Sequence, residues 1–177
     1  MNGLILVNGL PGSGKTTLAR ELAAALELPL FSKDAFKESL WASAGPPGAG
    51  ESSALGLRAL EHMWAAIAAS PGPAVVDSFW FPPRDLDFLR ADLRRAGRTA
   101  AAEVRCVLDP ATARKRCRNR ERHPVHHPAH DDDALWSRWA RQAGALGLGP
   151  VLEVNTEDPV DVAPVCRELE TLMVAGG

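Results

Sequence analysis

Three glycines, a lysine and two threonines crowd near the start of the sequence, in "LILVNGLPGSGKTTLAREL" over residues 4–22. Gly9, Leu10, Pro11, Gly12, Ser13, Gly14, Lys15 and Thr16 fit the spacing G-x-x-x-x-G-K-[ST], with an apolar run before it and an amphipathic pattern after it. The chemistry of that spacing is phosphate binding. Glycines let a loop turn its amides inward through backbone angles that a Cβ hinders, and those amides then surround phosphate oxygens. Lys15 supplies a mobile positive charge for β and γ phosphates and Thr16 a hydroxyl for Mg2+. Thr17 continues a helix whose positive end faces the anion. The implied ligand is the triphosphate of a purine nucleotide, ATP or GTP, with Mg2+.

Phosphate held in this way must go somewhere. In an open parallel sheet ligands gather beyond the carboxyl ends of the strands, and two aspartates stand at such places: Asp34 after "LPLFSK" and Asp77 in "PAVVDS". Phosphoryl transfer asks for an acidic group that orients an acceptor hydroxyl and takes its proton, and for a carboxylate on the Mg2+ shell. Asp34 is the candidate base and Asp77 the candidate metal-linked acid, although residue type alone leaves the two roles interchangeable. Each also has a plainer use, Asp34 as a helix cap and Asp77 as a turn former. Phe36 and Trp41 follow the first acid, and Phe79, Trp80 and Phe81 the second, as pocket walls or core. Lys33, Lys37 and Arg84 stand near enough in sequence to meet a charged acceptor.

Arg114, Lys115, Arg116, Arg118, Arg120 and Arg122 fall within nine residues of "DPATARKRCRNRERHPVHHPAH". On a helix Arg114 and Arg118 share a face, as do Arg118 and Arg122, while Arg116 and Arg120 form a second stripe. Arginines that close over a site stabilise a migrating phosphoryl group without competition from water. Arg118 and Arg122 are the candidates for that task, Arg114 for stacking near the base or contacting phosphate, and Arg120 the alternate. His123, His126, His127 and His130 follow, but Pro124 and Pro128 interrupt any helix that would align them on zinc, so a polar loop is the better reading.

The elements that must position these groups alternate in type. Short β-rich runs at 4–9, 28–32, 73–78, 101–108 and 150–156 are separated by helical patterns at 15–26, 34–41, 52–69, 84–96, 110–122, 131–146 and 159–174. That order predicts an α/β three-layer sandwich on a five-stranded parallel sheet. Asp131 and Asp133 suit the start of their helix. The Gly- and Pro-rich block at 43–53 and the segment 123–130 read as loops rather than boundaries.

The phosphate loop at the start of the chain, "SKDAFKESL" after the second strand, "VVDS" at the third and the arginine-rich run after the fourth occur in an order that resembles the P-loop kinases. More narrowly, it resembles the small single-domain group around chloramphenicol phosphotransferase and the zeta-toxin kinases. The resemblance implies one P-loop NTPase domain over 1–177 with a helical lid at about 114–131, and an ATP-dependent enzyme that phosphorylates an alcohol group of a metabolite, natural product or antibiotic. It carries Asp34, Lys15, Arg118 and Arg122 into catalytic roles. Two other functions keep the same loop: an NTPase or nucleotide switch without an acceptor, and a nucleoside or polynucleotide 5′-hydroxyl kinase.

With 177 residues, 46% of them hydrophobic and 24% charged, the chain has an ordinary globular composition. A formal charge of -2 argues against nucleic acid as a partner, despite the one basic run. Cys106, Cys117 and Cys166 have neither zinc nor disulfide-framework spacing, and no apolar stretch approaches a membrane span, so a cytoplasmic protein is expected.

Overall fold

The computed structural model describes residues 3–44, 51–121, 123–126 and 132–175. Its five strands are β1 (Gly3–Asn8), β2 (Leu30–Ser32), β3 (Ala74–Asp77), β4 (Thr99–Val107) and β5 (Val151–Asn155), all paired in parallel in the order β2-β3-β1-β4-β5. The helices are α1 (Lys15–Ala25), α2 (Lys33–Ala44), α3 (Glu51–Ala69), α4 (Pro82–Arg95), α5 (Pro110–Asn119), α6 (Asp133–Gln142) and α7 (Val162–Ala175).

β1 is the central strand and is buried along its whole length, which is why its sequence is a continuous apolar run rather than an alternation. Its side chains serve both faces in turn. Ile5 and Val7, with Val75 and Val104 beside them, pack on Leu18 and Leu22 of α1 and Val165 and Leu169 of α7. Leu4 and Leu6, with Ala74 and Val76, pack on Met63, Trp64 and Ile67 of α3 and Leu89 and Leu93 of α4. The result is the three-layer sandwich expected from the sequence. No helix among the described residues is long and apolar enough to cross a membrane, and all three cysteines are unbridged.

α5 and α6 end earlier than their sequence patterns suggest. α5 stops at Asn119 because Arg120 turns to an extended backbone, φ -85° and ψ 126°, so the helix expected to carry the arginine stripe onward from Arg118 ends there. α6 starts at Asp133 behind an N-cap, Asp132, whose side chain accepts from the Leu135 amide at 2.9 Å, and it ends at Gln142 rather than 146. Asp131, Arg122, His127, His130 and the 45–50 part of the glycine-rich block lie outside the described residues.

Polar side chains at the end of β1 and in the middle of β4 hold neighbouring loops. Asn8, 3% exposed, accepts from the amides of Gly9 (2.8 Å) and Trp80 (3.1 Å) and donates to the Trp80 carbonyl (3.1 Å), tying the start of the glycine loop to the chain beyond β3. Glu103, 2% exposed, accepts from the Leu146 amide at 2.7 Å and from Asn8 at 3.5 Å. Burial raises the Glu103 carboxyl above its usual 4.5, against the hydrogen bonds from Leu146 and Asn8 and the charge of Arg105. The folded chain therefore keeps a proton that the unfolded chain has already released. Its stabilising effect is complete below 4.5 and is lost as pH rises through the raised value. Denaturant midpoints measured across this window are expected to fall with pH in the parent and to fall less in Glu103→Gln. The comparison of the two removes the parallel contribution of Asp92, which burial also raises.

Candidate functional site

The loop between β1 and α1 turns through three glycines with positive φ: Gly9 at 149°, Gly12 at 83° and Gly14 at 85°. Gly14 is the N-cap of α1, so Lys15 and Thr16 occupy the first turn, where unpaired amides and the helix dipole favour an anion. Gly12 has a second constraint. A Cβ there would overlap the Ala113 carbonyl oxygen and stand 3.2 Å from the Cys117 amide, so the loop rests directly on the backbone of α5. Gly12→Ala is expected to displace the loop and weaken ATP binding about tenfold or more, the scale of a strained backbone plus overpacking, measured by calorimetry. Leu10 anchors the other side among Phe81, Ala113, Trp136 and Trp139.

Three of the cavities that meet this loop bear on phosphate and its acceptor. One of about 680 Å3 runs along it, with Gly12, Gly14, Lys15, Thr16 and Thr17 on one wall and Lys115, Arg116 and Arg120 on the other. It is continuous in lining with a space of about 310 Å3 between Gly14, Thr17 and the segment Thr156–Val160 after β5. Arg116 borders both, and donates to the carbonyls of Thr156 at 2.8 Å and Glu157 at 2.5 Å. The third, about 360 Å3, lies beyond the carboxyl ends of β2 and β3 and is lined by Pro11, Lys15, Asp34, Asp77, Phe79 and Trp139 among others.

Asp34 and Asp77 thus share one cavity although β2 does not neighbour β1; β3 stands between them. Ser32 and Asp77 are register partners, and the Ser32 hydroxyl donates to Asp77 Oδ2 at 3.0 Å. Asp77 is 2% exposed and its Oδ1 meets no hydrogen-bond donor among the described residues. A buried carboxylate oxygen left without a donor suits a hard cation, and Mg2+ takes one or two protein oxygens with phosphate and water completing its shell.

Asp34 differs from Asp77 in every respect that matters. It sits in the first turn of α2 with its side chain 46% exposed, and His126 Nδ1 stands 3.8 Å from its Oδ1. The other ring nitrogen of His126 is 2.9 Å from Glu38 Oε1. His123 packs edge-on to Trp41 with centroids 4.2 Å apart. Ser52 accepts from Lys37 at 2.9 Å and donates to the Val125 carbonyl at 3.0 Å. The segment 123–126 is therefore seated on α2 and α3, against the carboxylate that the sequence singles out.

The arginines divide differently from the stripes drawn on the sequence. Arg114 pairs with Asp133 and lies over the Trp136 ring at 5.8 Å, and the charge of Arg118 also acts on Asp133. Arg120 borders the groove along the loop, and Arg122 lies outside the described residues. Arg116, which helical spacing put on the second face, is the one that reaches the space beyond Gly14. Besides Arg116, sequence reading missed Asn8 and the Thr156–Val160 segment. Asn8 carries a signal, a polar residue ending a fully apolar central strand; the segment carries none.

The AAA_33 profile, described as an AAA domain, matches residues 4–146. Comparison with curated proteins gives no match. Among solved structures, a candidate kinase from Chloroflexus aurantiacus J-10-fl is 30% identical with a TM-score of 0.78, over 96% of this chain and 97% of that one. A gluconokinase from Sinorhizobium meliloti 1021 is 20% identical with a TM-score of 0.56, over 98% and 93%. The Deinococcus radiodurans tunicamycin resistance protein is 16% identical with a TM-score of 0.57, over 100% and 96%. The chain belongs to the AAA_33 family of AAA domains and has the fold of the small P-loop kinases.

Proposed function

We propose that this protein is an ATP-dependent kinase that phosphorylates a hydroxyl group of a small molecule. The observation that carries the reading is that Lys15 lies on the wall of two cavities at once, the groove along the glycine loop and the cavity of Asp34 and Asp77. A phosphoryl group leaving a nucleotide held in the first is delivered into the second. The mixed apolar and polar lining of the second, with Phe79 and Trp139 beside the two acids, suits a small organic acceptor better than water alone.

In this reading Gly9, Gly12, Ser13 and Gly14 cradle the phosphates, with Lys15 on the β and γ groups. Thr16 and Asp77 hold Mg2+, which when bound neutralises developing charge on the phosphate oxygens. Asp34 orients the acceptor alcohol. The alcohol oxygen bonds to the γ phosphorus as the bond from that phosphorus to the bridging oxygen breaks, ADP carries the departing electron pair, and Asp34 takes the hydroxyl proton. Arg116 flanks the space for the base. The run from 114 to 131 is the lid, with Arg118, Arg120 and Arg122 as its phosphate-facing cations, and the whole chain forms one P-loop domain.

The test is a screen of metabolites, nucleosides, sugars and antibiotics with ATP and Mg2+, read by mass spectrometry for the gain of one phosphoryl group. A product that disappears in Lys15→Ala supports the reading. Release of inorganic phosphate alone, across a broad panel with no organic ligand bound beside ADP, would sink it and favour an NTPase or nucleotide switch.

A further inference from the structure

The acceptor cavity holds more positive charge than phosphoryl transfer requires. Lys15 serves the nucleotide, yet Lys33, Lys37 and Arg84 line the same space, against Asp34 and Asp77 as its lining carboxylates. Lys37 is engaged by Ser52 at 2.9 Å. Lys33 is partly buried, and among the described residues no hydrogen bond or salt bridge holds its ammonium. Burial lowers its pKa, with the positive charges of Arg84 and Lys15 acting in the same direction and Asp34 and Asp85 opposing. A desolvated ammonium is costly to the folded chain; Asp34 and Asp85 offset part of that cost, Arg84 and Lys15 add to it, and an anion hydrogen-bonded to the ammonium lowers it further.

Arg84 is built to be present at that point. Asp85 holds its Nε at 2.5 Å and Nη2 at 2.7 Å, and the same carboxylate accepts from the Phe81 amide at 2.7 Å, which locks the guanidinium onto the first turn of α4. That pairing uses the Nε and Nη2 edge, and the Nη1 donors of a guanidinium fixed in this way lose little freedom when they meet an oxyanion. Asp34 and Asp77 repel an anion whereas Lys33 and Arg84 attract one, so an anionic group pairs with the two cations while the alcohol faces Asp34. Phe79 and Trp139 supply apolar surface for the carbon chain between the two groups.

We infer that the acceptor is a hydroxylated anion, an alcohol carrying a carboxylate or phosphomonoester group that Lys33 and Arg84 bind while its hydroxyl is presented to Asp34. This rests on the kinase reading and narrows it. At about 360 Å3 the cavity is of a size to take a metabolite.

The experiment uses the full chain with ATP and Mg2+ and three matched pairs: glycerate with glycerol, gluconate with glucose, and glucose 6-phosphate with glucose. Transfer is followed kinetically and binding beside ADP calorimetrically. The anionic member of at least one pair is expected to be preferred, the first two pairs reporting a carboxylate and the third a phosphate. The ratio of kcat/KM between anion and neutral partner is expected to fall about 10- to 100-fold in Lys33→Gln and in Arg84→Gln, the range for a charge-assisted hydrogen bond. Arg90→Gln, on the exposed side of α4, is expected to leave the ratio unchanged. Neutral members phosphorylated as well as anions, or a ratio indifferent to Lys33→Gln, would overturn the anion site while leaving the kinase reading in place. No transfer and no binding of any probe, with ATP turned over to phosphate, would overturn both.

Discussion

Lys15→Ala is expected to lower phosphoryl transfer by about a thousandfold or more while weakening ATP binding only about 10- to 100-fold. The two numbers differ because the lysine acts on two states. In the ground state its ammonium makes one charge-assisted contact among many, since loop amides and the α1 N-terminus also hold the phosphates, and losing such a contact costs about 1.5–3 kcal/mol. In the transition state charge moves onto the bridging oxygen and the migrating group, where Lys15 stands between the two cavities. A positioned cation in a water-poor site is worth more there. Lys15→Arg is not expected to restore the rate, because a planar fork does not replace a compact ammonium in a loop shaped around one. Rapid-quench transfer rates and calorimetric ATP affinity, measured on the same preparations, check the split; equal losses in both would assign Lys15 to binding alone.

Asp34→Asn is expected to lower kcat by about a hundredfold or more and to leave ATP affinity nearly unchanged. The substitution keeps the shape of the side chain and removes its capacity to take a proton, the usual scale for a lost general base. Asp77→Asn provides the contrast. Its buried Oδ1 has no donor among the described residues, so an amide there is expected to raise the Mg2+ concentration needed for half-maximal rate, whereas Asp34→Asn is not. If Asp34→Asn retained full activity, or if it were the variant that shifted the Mg2+ requirement, the two roles would have to be exchanged.

The elements of the fold were legible because each carries a local cause. β1 reads as a buried strand from its apolar run, the loop from its glycines, and α4 from Pro82 and Pro83 at its first turn with Arg94 and Arg95 at its last. The order of the strands was not legible: that β3 rather than β2 lies beside β1 depends on how a crossover packs, which no residue of β2 announces. The placing of Asp34 and Asp77 at or just beyond strand ends was legible because position at a strand end is a sequence property. Arg116 was missed for the opposite reason. Spacing says which arginines share a face, but not which face turns to the loop, and that is decided by the seating of α5 on Gly12 at Ala113 and Cys117, with Arg116 beside them on the helix. The seat of His126 beside Asp34 and Glu38 was likewise hidden, since it joins residues 88 and 92 positions apart.

The rest of Gly12 on the carbonyl of Ala113 has a mechanical meaning. Two backbones in direct contact, with no side chain between them to yield, cannot slide independently. The glycine loop and α5 are therefore coupled at Ala113, and a change that tilts α5 is felt where the phosphates would lie, with no residue of the loop itself altered.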